Sequence, residues 1–174
     1  MRLAIVNDDM PFLVDSIAAA IGERDIAVDR IIHPVVRVTR DGEGKLIEIG
    51  DAGTATESMI YIELERVDAR DRRALTDEIE KVLADVRAAT GDWRTMQAAL
   101  AADAGRLDDI GNDADGASLL RWFLDRHFTL LGHENWDAAT GARSDALGIM
   151  RHEHEVPVLA ERSRRIAVEV FQSG

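Results

Sequence analysis

The sequence predicts an α+β fold in which two amphipathic helices pack on one antiparallel sheet. An apolar run at residues 3–6 leads into a stretch whose apolar residues recur at helical spacing. Residues 27–40 and 59–65 alternate apolar and polar side chains, as half-buried strands do, and residues 71–90 return to the helical spacing. The resulting order is strand, helix, strand, strand, helix, which favours an antiparallel sheet with its helices on one face.

The first strand is predicted over residues 1–6 and the first helix over residues 9–24. One face of this helix is apolar and carries Leu13, Ile17, Ala20 and Ile21. We expect Asp8 or Asp9 to cap the helix, because a carboxylate accepts hydrogen bonds from the first free N–H groups. Pro11 suits the first helical turn, where a missing N–H has no cost.

A proline interrupts the second predicted strand, residues 27–40. The face that this alternation predicts carries Val28, Ile32, Val36 and Val38, with Arg37 and Thr39 on the other face, and Pro34 lies inside the strand. Because proline cannot donate to a β-ladder, we expect an edge strand or a bulge at this point. Residues 45–49 are expected to add a hairpin arm after a glycine-containing turn.

The second helix, predicted over residues 71–90, completes the pattern of a ferredoxin-like βαββα unit that lacks its last strand. Its apolar stripe consists of Leu75, Ile79, Val82, Leu83 and Val86. In a ferredoxin-like sheet the second strand lies at an edge, where Pro34 is tolerated. The position of the proline and the order of the elements therefore agree.

The remainder of the chain is predicted to be a helical segment followed by the start of a second small α/β module. The expected elements are a helix over 93–107, a polar linker over 108–116, a helix over 117–126, a strand over 128–136 and helical spacing over 156–171. We expect the strand to open the second module rather than to complete the first sheet. The predicted domains are 1–92, 93–127 and 128–174.

Composition and charge exclude several classes of function. The chain has 174 residues and a formal net charge of −12, which argues against nucleic acid as a partner. It has no apolar run long enough to span a membrane and no signal-peptide pattern. Cysteine is absent, which excludes disulfides and thiolate chemistry, so we expect a cytoplasmic location.

The acidic turn after the first strand is the candidate ligand or partner loop. Its residues are Asp8, Asp9, Met10, Pro11 and Phe12. The alternative is a helix cap in a solvated loop. No residue is assigned a catalytic, cofactor-binding or metal-binding role, because the sequence has neither a Gly-x-Gly-x-x-Gly motif nor a Walker loop.

A metal-dependent enzyme is a further alternative. His152 and His154 would share one face of a strand, with acidic residues beside them. Their spacing differs from the i, i+4 spacing of a helical zinc site, and no third ligand is specified. We therefore expect a solvated loop here.

The acidic turn resembles the amino-terminal, ACT-like region of the large bacterial NAD-dependent glutamate dehydrogenases. The matching run is Asn7-Asp8-Asp9-Met10-Pro11-Phe12-Leu13-Val14-Asp15-Ser16. Further runs resemble that family in the same order, at residues 32–38, 57–63, 82–87, 92–96, 123–132 and 147–151. The resemblance implies that the chain is an amino-terminal fragment and that a catalytic domain lies far downstream.

The resemblance also implies a function, namely that of a non-catalytic regulatory or assembly module. The parent enzyme would convert L-glutamate to 2-oxoglutarate and ammonia with NAD, whereas this segment would bind no cofactor. Its implied partners are downstream domains of the same chain or other subunits of a homo-oligomer, and an amino-acid effector stays open.

ACT domains commonly carry Asp-x-Pro-Gly-Leu at this turn, and here Phe12 stands in place of the glycine. A ring at that position would obstruct an effector's approach to the backbone, which favours assembly. We expect Phe12 to pack into the core or onto the following helices. The alternative is a free-standing amino-acid-sensing ACT domain.

Overall fold

A computed structural model describes residues 1–110, 114–137, 140, 142–152 and 160–172 of the chain. The chain divides into two compact units, Met1–Val86 and Arg87–Gly174. The structure describes every residue of the first unit.

The first unit has the predicted α+β, ferredoxin-like fold, with an antiparallel sheet and two helices. Its elements are β1 (Arg2–Asp8), α1 (Leu13–Gly22), β2 (Val28–Ile32), β3 (Val35–Arg40), β4 (Leu46–Ile49), β5 (Ala55–Leu64) and α2 (Ala69–Gly91). The hairpin arm expected over residues 45–49 is β4, which pairs with β3.

Strand β5 is central in the sheet. It pairs with β1 along one side and with β2 and then β3 along the other, always antiparallel. Ile60 lies opposite Ile5 and Ile62 lies opposite both Leu3 and Ile31. The spatial order β1-β5-β3-β4 therefore brings the end of β1 beside the start of β5.

The core lies between the helices and one face of the sheet. Its buried residues are Leu13, Ile17 and Ile21 of α1, Ile60, Ile62 and Leu64 of β5, and Leu75, Ile79 and Val86 of α2. Both helical stripes predicted from periodicity thus pack on β5. Each fully buried aliphatic side chain contributes about 1.5–3 kcal/mol to folding, so this cluster is the main stabilising feature of the unit.

The proline divides the second predicted strand in two. A single strand over residues 27–40 was the expectation, but β2 ends at Ile32 and β3 begins at Val35. Pro34 has no N–H to donate, although its carbonyl accepts a hydrogen bond from the backbone N–H of Met59 at 2.9 Å. Both pieces stay on the same side of β5, so the break is a local irregularity within one edge of its ladder.

The second unit contains helices and a separate two-stranded sheet. Its elements are α3 (Trp93–Ile110), α4 (Ala114–Trp122), β6 (Gly132–Trp136), β7 (Arg143–Gly148) and α5 (Glu161–Gln172). The strand expected over 128–136 is β6, which pairs with β7 and not with the first sheet.

Two boundaries in the second unit differ from the expectation. Residues 108–110 and 114–116 are helical, so most of the predicted polar linker belongs to α3 and α4. The helix expected over 117–126 ends at Trp122, because Asp125 and Arg126 leave helical φ/ψ in the wider turn Phe123–His127. Residues 156–159 of the last predicted helix lie outside the described residues. No helix in the described part of the chain is both long and apolar enough to cross a bilayer.

Candidate functional site in the turn between β1 and α1

The acidic turn, residues 8–12, lies where β1 ends beside the start of β5. The β1–β5 ladder runs as far as Asp8 opposite Glu57. The backbone N–H of Asp9 then donates to the carbonyl of Thr56 at 3.1 Å. The first half of the turn is thereby attached to the sheet before the chain enters α1.

A chain of side-chain hydrogen bonds links the turn to the break between β2 and β3. The hydroxyl of Ser58 donates to Oδ1 of Asp9 at 2.7 Å, and Nε2 of His33 lies 2.9 Å from the same hydroxyl oxygen. Because a hydroxyl has one hydrogen, His33 must donate from Nε2. Ser58 is fully buried and its carboxylate partner contacts it directly, so this is a structural chain and not a nucleophile with its base.

The predicted helix cap is absent. Helix α1 begins at Leu13, and its N-cap residue, Phe12, makes no side-chain capping hydrogen bond. Asp9 does not cap it, because its carboxylate accepts from Ser58. Asp8 is the last residue of β1, five positions before the helix, so the expectation that Asp8 or Asp9 caps α1 is wrong.

Phe12 is at the surface, in a backbone conformation that suits glycine. Its φ is 71° and its ψ is 0°, and its side chain is 51% exposed. The ring therefore does not pack into the core, which was the first of the two places expected for it. A left-handed conformation costs an L-residue about 1–2 kcal/mol, whereas glycine adopts it freely. The turn thus keeps the backbone shape of a glycine turn with a large aromatic side chain on it.

A partly buried ion pair lies beside the turn on the other face of the sheet. Nε and Nη2 of Arg40 donate to the two carboxylate oxygens of Glu57 at 2.5 and 2.7 Å. This hydrogen bonding lowers the pKa of Glu57 and raises that of Arg40. Since Glu57 pairs with Asp8 across the ladder, the ion pair fixes the start of β5 under the turn.

The structure brings together some predicted residues and adds others. Asp9 contacts Ser58 and His33, whereas Phe12 points to the surface. Sequence reasoning did not assign Ser58, His33 or the Arg40–Glu57 pair to this region. Polar residues at the start of an otherwise apolar β5 were the signal that could have indicated them, since buried polar groups need partners.

The described residues contain no cluster of three His, Asp or Glu side chains that could hold a metal. His154, one of the two histidines of the metal alternative, lies outside the described residues.

Most of the first unit matches a known protein family. Residues 2–79 match the family described as "Glutamate dehydrogenase, ACT1 domain". The match covers β1 to the middle of α2, and it includes the whole acidic turn.

Three longer proteins are similar to most of the chain, and each is described as an NAD-specific glutamate dehydrogenase. The protein from Halomonas elongata is 33% identical over 78% of this chain, and that from Pseudomonas aeruginosa is 31% identical over 79%. The protein from Mycobacterium tuberculosis is 28% identical over 86% of this chain. The matched region is only 9–10% of each relative's length.

Proposed function

We propose that the chain is a non-catalytic assembly or regulatory module of a longer NAD-dependent glutamate dehydrogenase, on the premise that residues 2–79 match the ACT1 domain of that family. The parent enzyme would oxidise L-glutamate to 2-oxoglutarate and ammonia. The module would contact other domains of the same polypeptide or other subunits through the turn between β1 and α1.

The proposal is based mainly on the exposed side chain and the left-handed backbone of Phe12. A half-exposed aromatic ring gains little from packing within its own unit, and its left-handed backbone adds a cost of about 1–2 kcal/mol. Strained residues of this kind cluster at functional sites. Exposed aromatic side chains are also among those that most often anchor protein interfaces. A contact made by the ring accounts for its place on a turn where glycine would fold more easily.

The polar chain beneath the turn supports the same role. Ser58 and Asp9 hold the turn to β5, so that Phe12 is presented from a fixed support and not from a free loop. A pre-organised anchor loses less conformational entropy on binding. This arrangement suits a permanent contact within an assembly.

We expect the chain by itself to have no dehydrogenase activity. It has no dinucleotide-binding glycine motif, and neither of its two lysines is placed as a substrate lysine. The measurement is NADH absorbance with L-glutamate and NAD, against a sample without protein. A glutamate-dependent rate above that blank would contradict the proposal.

We expect Phe12→Gly to alter assembly while it leaves folding nearly unchanged. Glycine removes the left-handed strain, while loss of a half-buried ring costs a similar amount, so the free energy of unfolding of this chain should change by less than about 1 kcal/mol. In a full-length glutamate dehydrogenase that carries this domain, the same change should alter the assembly's mass in sedimentation velocity or the enzyme's glutamate kinetics.

The matched control is Asp25→Gly. Asp25 also has a left-handed backbone, with a φ of 55°, and it is exposed. The variant Asp25→Gly therefore relieves the same kind of backbone strain at a position outside the turn. If Phe12→Gly and Asp25→Gly both leave the full-length enzyme unchanged, the turn is not a contact surface. A loss of stability well above 1 kcal/mol for Phe12→Gly would show that the ring packs within its own unit.

A free-standing amino-acid sensor is the second candidate. It is favoured by the lack of a side-chain cap on α1, because the first N–H groups of a helix attract carboxylates. Calorimetry of this chain with a panel of amino acids distinguishes the candidates. A saturable signal favours the sensor, and its absence favours the assembly module.

A further inference from the structure

Strand β1 leaves one edge of the first sheet open. It pairs only with β5, and the register of this pairing is regular along the whole strand. In an antiparallel ladder every second residue pair exchanges backbone hydrogen bonds. Met1 and Leu64 form such a bonded pair, because the N–H of Leu64 donates to the carbonyl of Met1 at 2.8 Å. The backbone groups of Leu3, Ile5 and Asn7 therefore also point toward β5.

The alternate residues of β1 direct their backbone groups to the open edge. These residues are Arg2, Ala4 and Val6, and all three are exposed. Each has one N–H and one C=O, and within the described residues no group hydrogen-bonds to them. Beyond Val6 the edge closes, because Nδ2 of Asn7 donates to the carbonyl of Asp8 at 2.8 Å. The open edge of β1 therefore covers residues 2–6.

The core side chains along this edge are incompletely buried. Leu3 lies opposite Ile62 and Ile5 lies opposite Ile60, so all four side chains are on the core face of the sheet. Ile60 and Ile62 are each 1% exposed, whereas Leu3 and Ile5 are only partly buried, although they pack against the same core cluster. A further strand beside β1 would cover Leu3 and Ile5, because its alternate side chains would also lie on the core face.

The two edges of the sheet differ in the features that prevent strand pairing. Natural edge strands are commonly short, or carry a proline, a lysine or a bulge. On the side opposite β1, strand β4 has four residues, the β3–β4 register shifts between Thr39 and Arg40, and Pro34 precedes β3. Strand β1 has seven residues, no proline or lysine, and no shift in its register with β5. It therefore has the form of an edge that accepts another strand.

We propose that the open edge of β1 binds an extended segment of the longer parent polypeptide, which adds to the sheet as an antiparallel strand. This inference rests on the proposed function in one respect, namely that the segment belongs to the parent protein. The region shared with this chain is only 9–10% of each relative's length, so most of such a polypeptide is available to supply the segment. A second copy of this chain is a less favourable occupant, because each copy has a net charge of −12.

The edge also specifies the chemistry of the segment. Its backbone would pair with Arg2, Ala4 and Val6, and its side chains beside Leu3 and Ile5 would face the core. The segment should therefore carry apolar residues at alternate positions, whereas the positions between them can be polar. When a peptide adds to a sheet edge in this way, main-chain hydrogen bonds provide affinity and the alternate side chains provide specificity.

Amide hydrogen exchange of the 174-residue chain, measured by NMR, tests the proposal. In the wild type alone, the amides of Ala4 and Val6 should exchange rapidly, while those of Leu3 and Ile5 are protected by the ladder. The probe is a set of short overlapping peptides that tile the sequence of the Pseudomonas aeruginosa relative. At least one peptide with apolar residues at alternate positions should bind saturably and slow exchange at Ala4 and Val6 by at least about tenfold.

Ala4→Pro should weaken peptide binding while the chain stays folded. The N–H of Ala4 points to the open edge, so proline removes no hydrogen bond of the β1–β5 ladder but blocks the added strand. We expect binding to weaken by at least about tenfold. Val6→Pro is a second variant with the same geometry, and circular dichroism checks that each variant is folded.

The matched control is Ile49→Pro at the opposite edge of the sheet. The N–H of Gly50 donates to the carbonyl of Arg37, so that of the preceding residue, Ile49, points away from β3. Ile49 is 54% exposed. This variant places a proline on a strand edge without touching β1, and it should bind the peptide like the wild type.

Three results would overturn the proposal. The first is that no peptide slows exchange at Ala4 and Val6, and the second is that a folded Ala4→Pro or Val6→Pro variant binds as the wild type does. The third is that these amides are already protected in the wild type alone, in proportion to its concentration, which would assign the edge to a second copy. If both proline variants unfold, the exchange pattern of the wild type with and without peptide decides.

Failure of this inference is distinguishable from failure of the proposed function. Phe12→Gly should leave peptide binding unchanged, because the ring is not part of the open edge. Dehydrogenase activity of the chain by itself would contradict the proposed function without altering the exchange pattern of β1.

Discussion

Gly148→Ala is expected to destabilise the second unit by about 4 kcal/mol, through backbone strain and steric overlap combined. Gly148 has a φ of 60° and a ψ of −139°, a conformation that only glycine adopts without strain. A Cβ here would overlap the carbonyl oxygen of Leu131 and lie 3.0 Å from Sδ of Met96. The oxygen belongs to the backbone, so no side-chain rotation relieves the clash.

The surroundings of Gly148 prevent the backbone from rotating away. Its N–H donates to Oδ2 of Asp92 at 2.8 Å, and the same carboxylate accepts from Arg151. This backbone hydrogen bond is the largest cause of the lowered pKa of Asp92. A peptide that turned to relieve the clash would leave the mostly buried carboxylate without one donor, which has its own cost.

Tryptophan fluorescence measures this effect in the second unit alone. All three tryptophans, Trp93, Trp122 and Trp136, lie in Arg87–Gly174. The urea midpoint of Gly148→Ala should fall well below that of the wild type. The control is Gly105→Ala in α3, where a Cβ meets no described atom within 4 Å and alanine should stabilise the helix by about 1 kcal/mol. Equal midpoints for the two variants would contradict this account.

Periodicity was sufficient to predict the first unit's architecture. Leu13, Ile17 and Ile21 recur at helical spacing, and so do Leu75 and Ile79, and all five are buried against β5. A pattern of this kind reports directly on the face that each element buries, because burial is the dominant favourable term in folding. The order of the elements along the chain then restricted the sheet to a few possible strand orders.

The turn could not be predicted in the same way, because its partners are distant in sequence. Ser58 is 49 residues from Asp9 and 25 residues from His33. A local rule assigns an aspartate before a helix to the cap, and that rule failed once a buried hydroxyl competed for the carboxylate. The left-handed backbone of Phe12, with a φ of 71°, is likewise not predicted by its residue type.

An irregularity of the sheet at Pro34 was predicted, but its effect on the neighbouring strand residues was not. Pro34 was expected at an edge or bulge, and it does interrupt the ladder. Ile32, Val36 and Val38 share a face, as their alternation predicted. Val28 was expected on the same face, but it lies opposite Leu64 of the core face, because the register shifts between Val28 and Arg30. Alternation shows which residues share a face, whereas the choice of face depends on where the helices pack.

Leu75→Ala is expected to be the other large effect, a loss of about 3–4 kcal/mol in the first unit. Leu75 in α2 is fully buried among the β5 and α1 core residues, so alanine leaves a cavity that the neighbouring side chains only partly fill. The matched control is Leu119→Ala, the same change in helix α4 at a residue that is 50% exposed, where the loss should be below about 1 kcal/mol.

The effect of Leu75→Ala can also be measured separately in the two units. The core residues around Leu75 all lie in Met1–Val86, whereas every tryptophan lies in Arg87–Gly174. Hydrogen exchange of β5 amides should therefore report the loss in Leu75→Ala, while the tryptophan midpoint stays at its wild-type value. That combination would support a first unit that folds as a module of its own. A tryptophan midpoint that falls in step with β5 protection would show instead that the two units unfold together, and the assembly role proposed for the turn would then have to be tested on the chain as a whole.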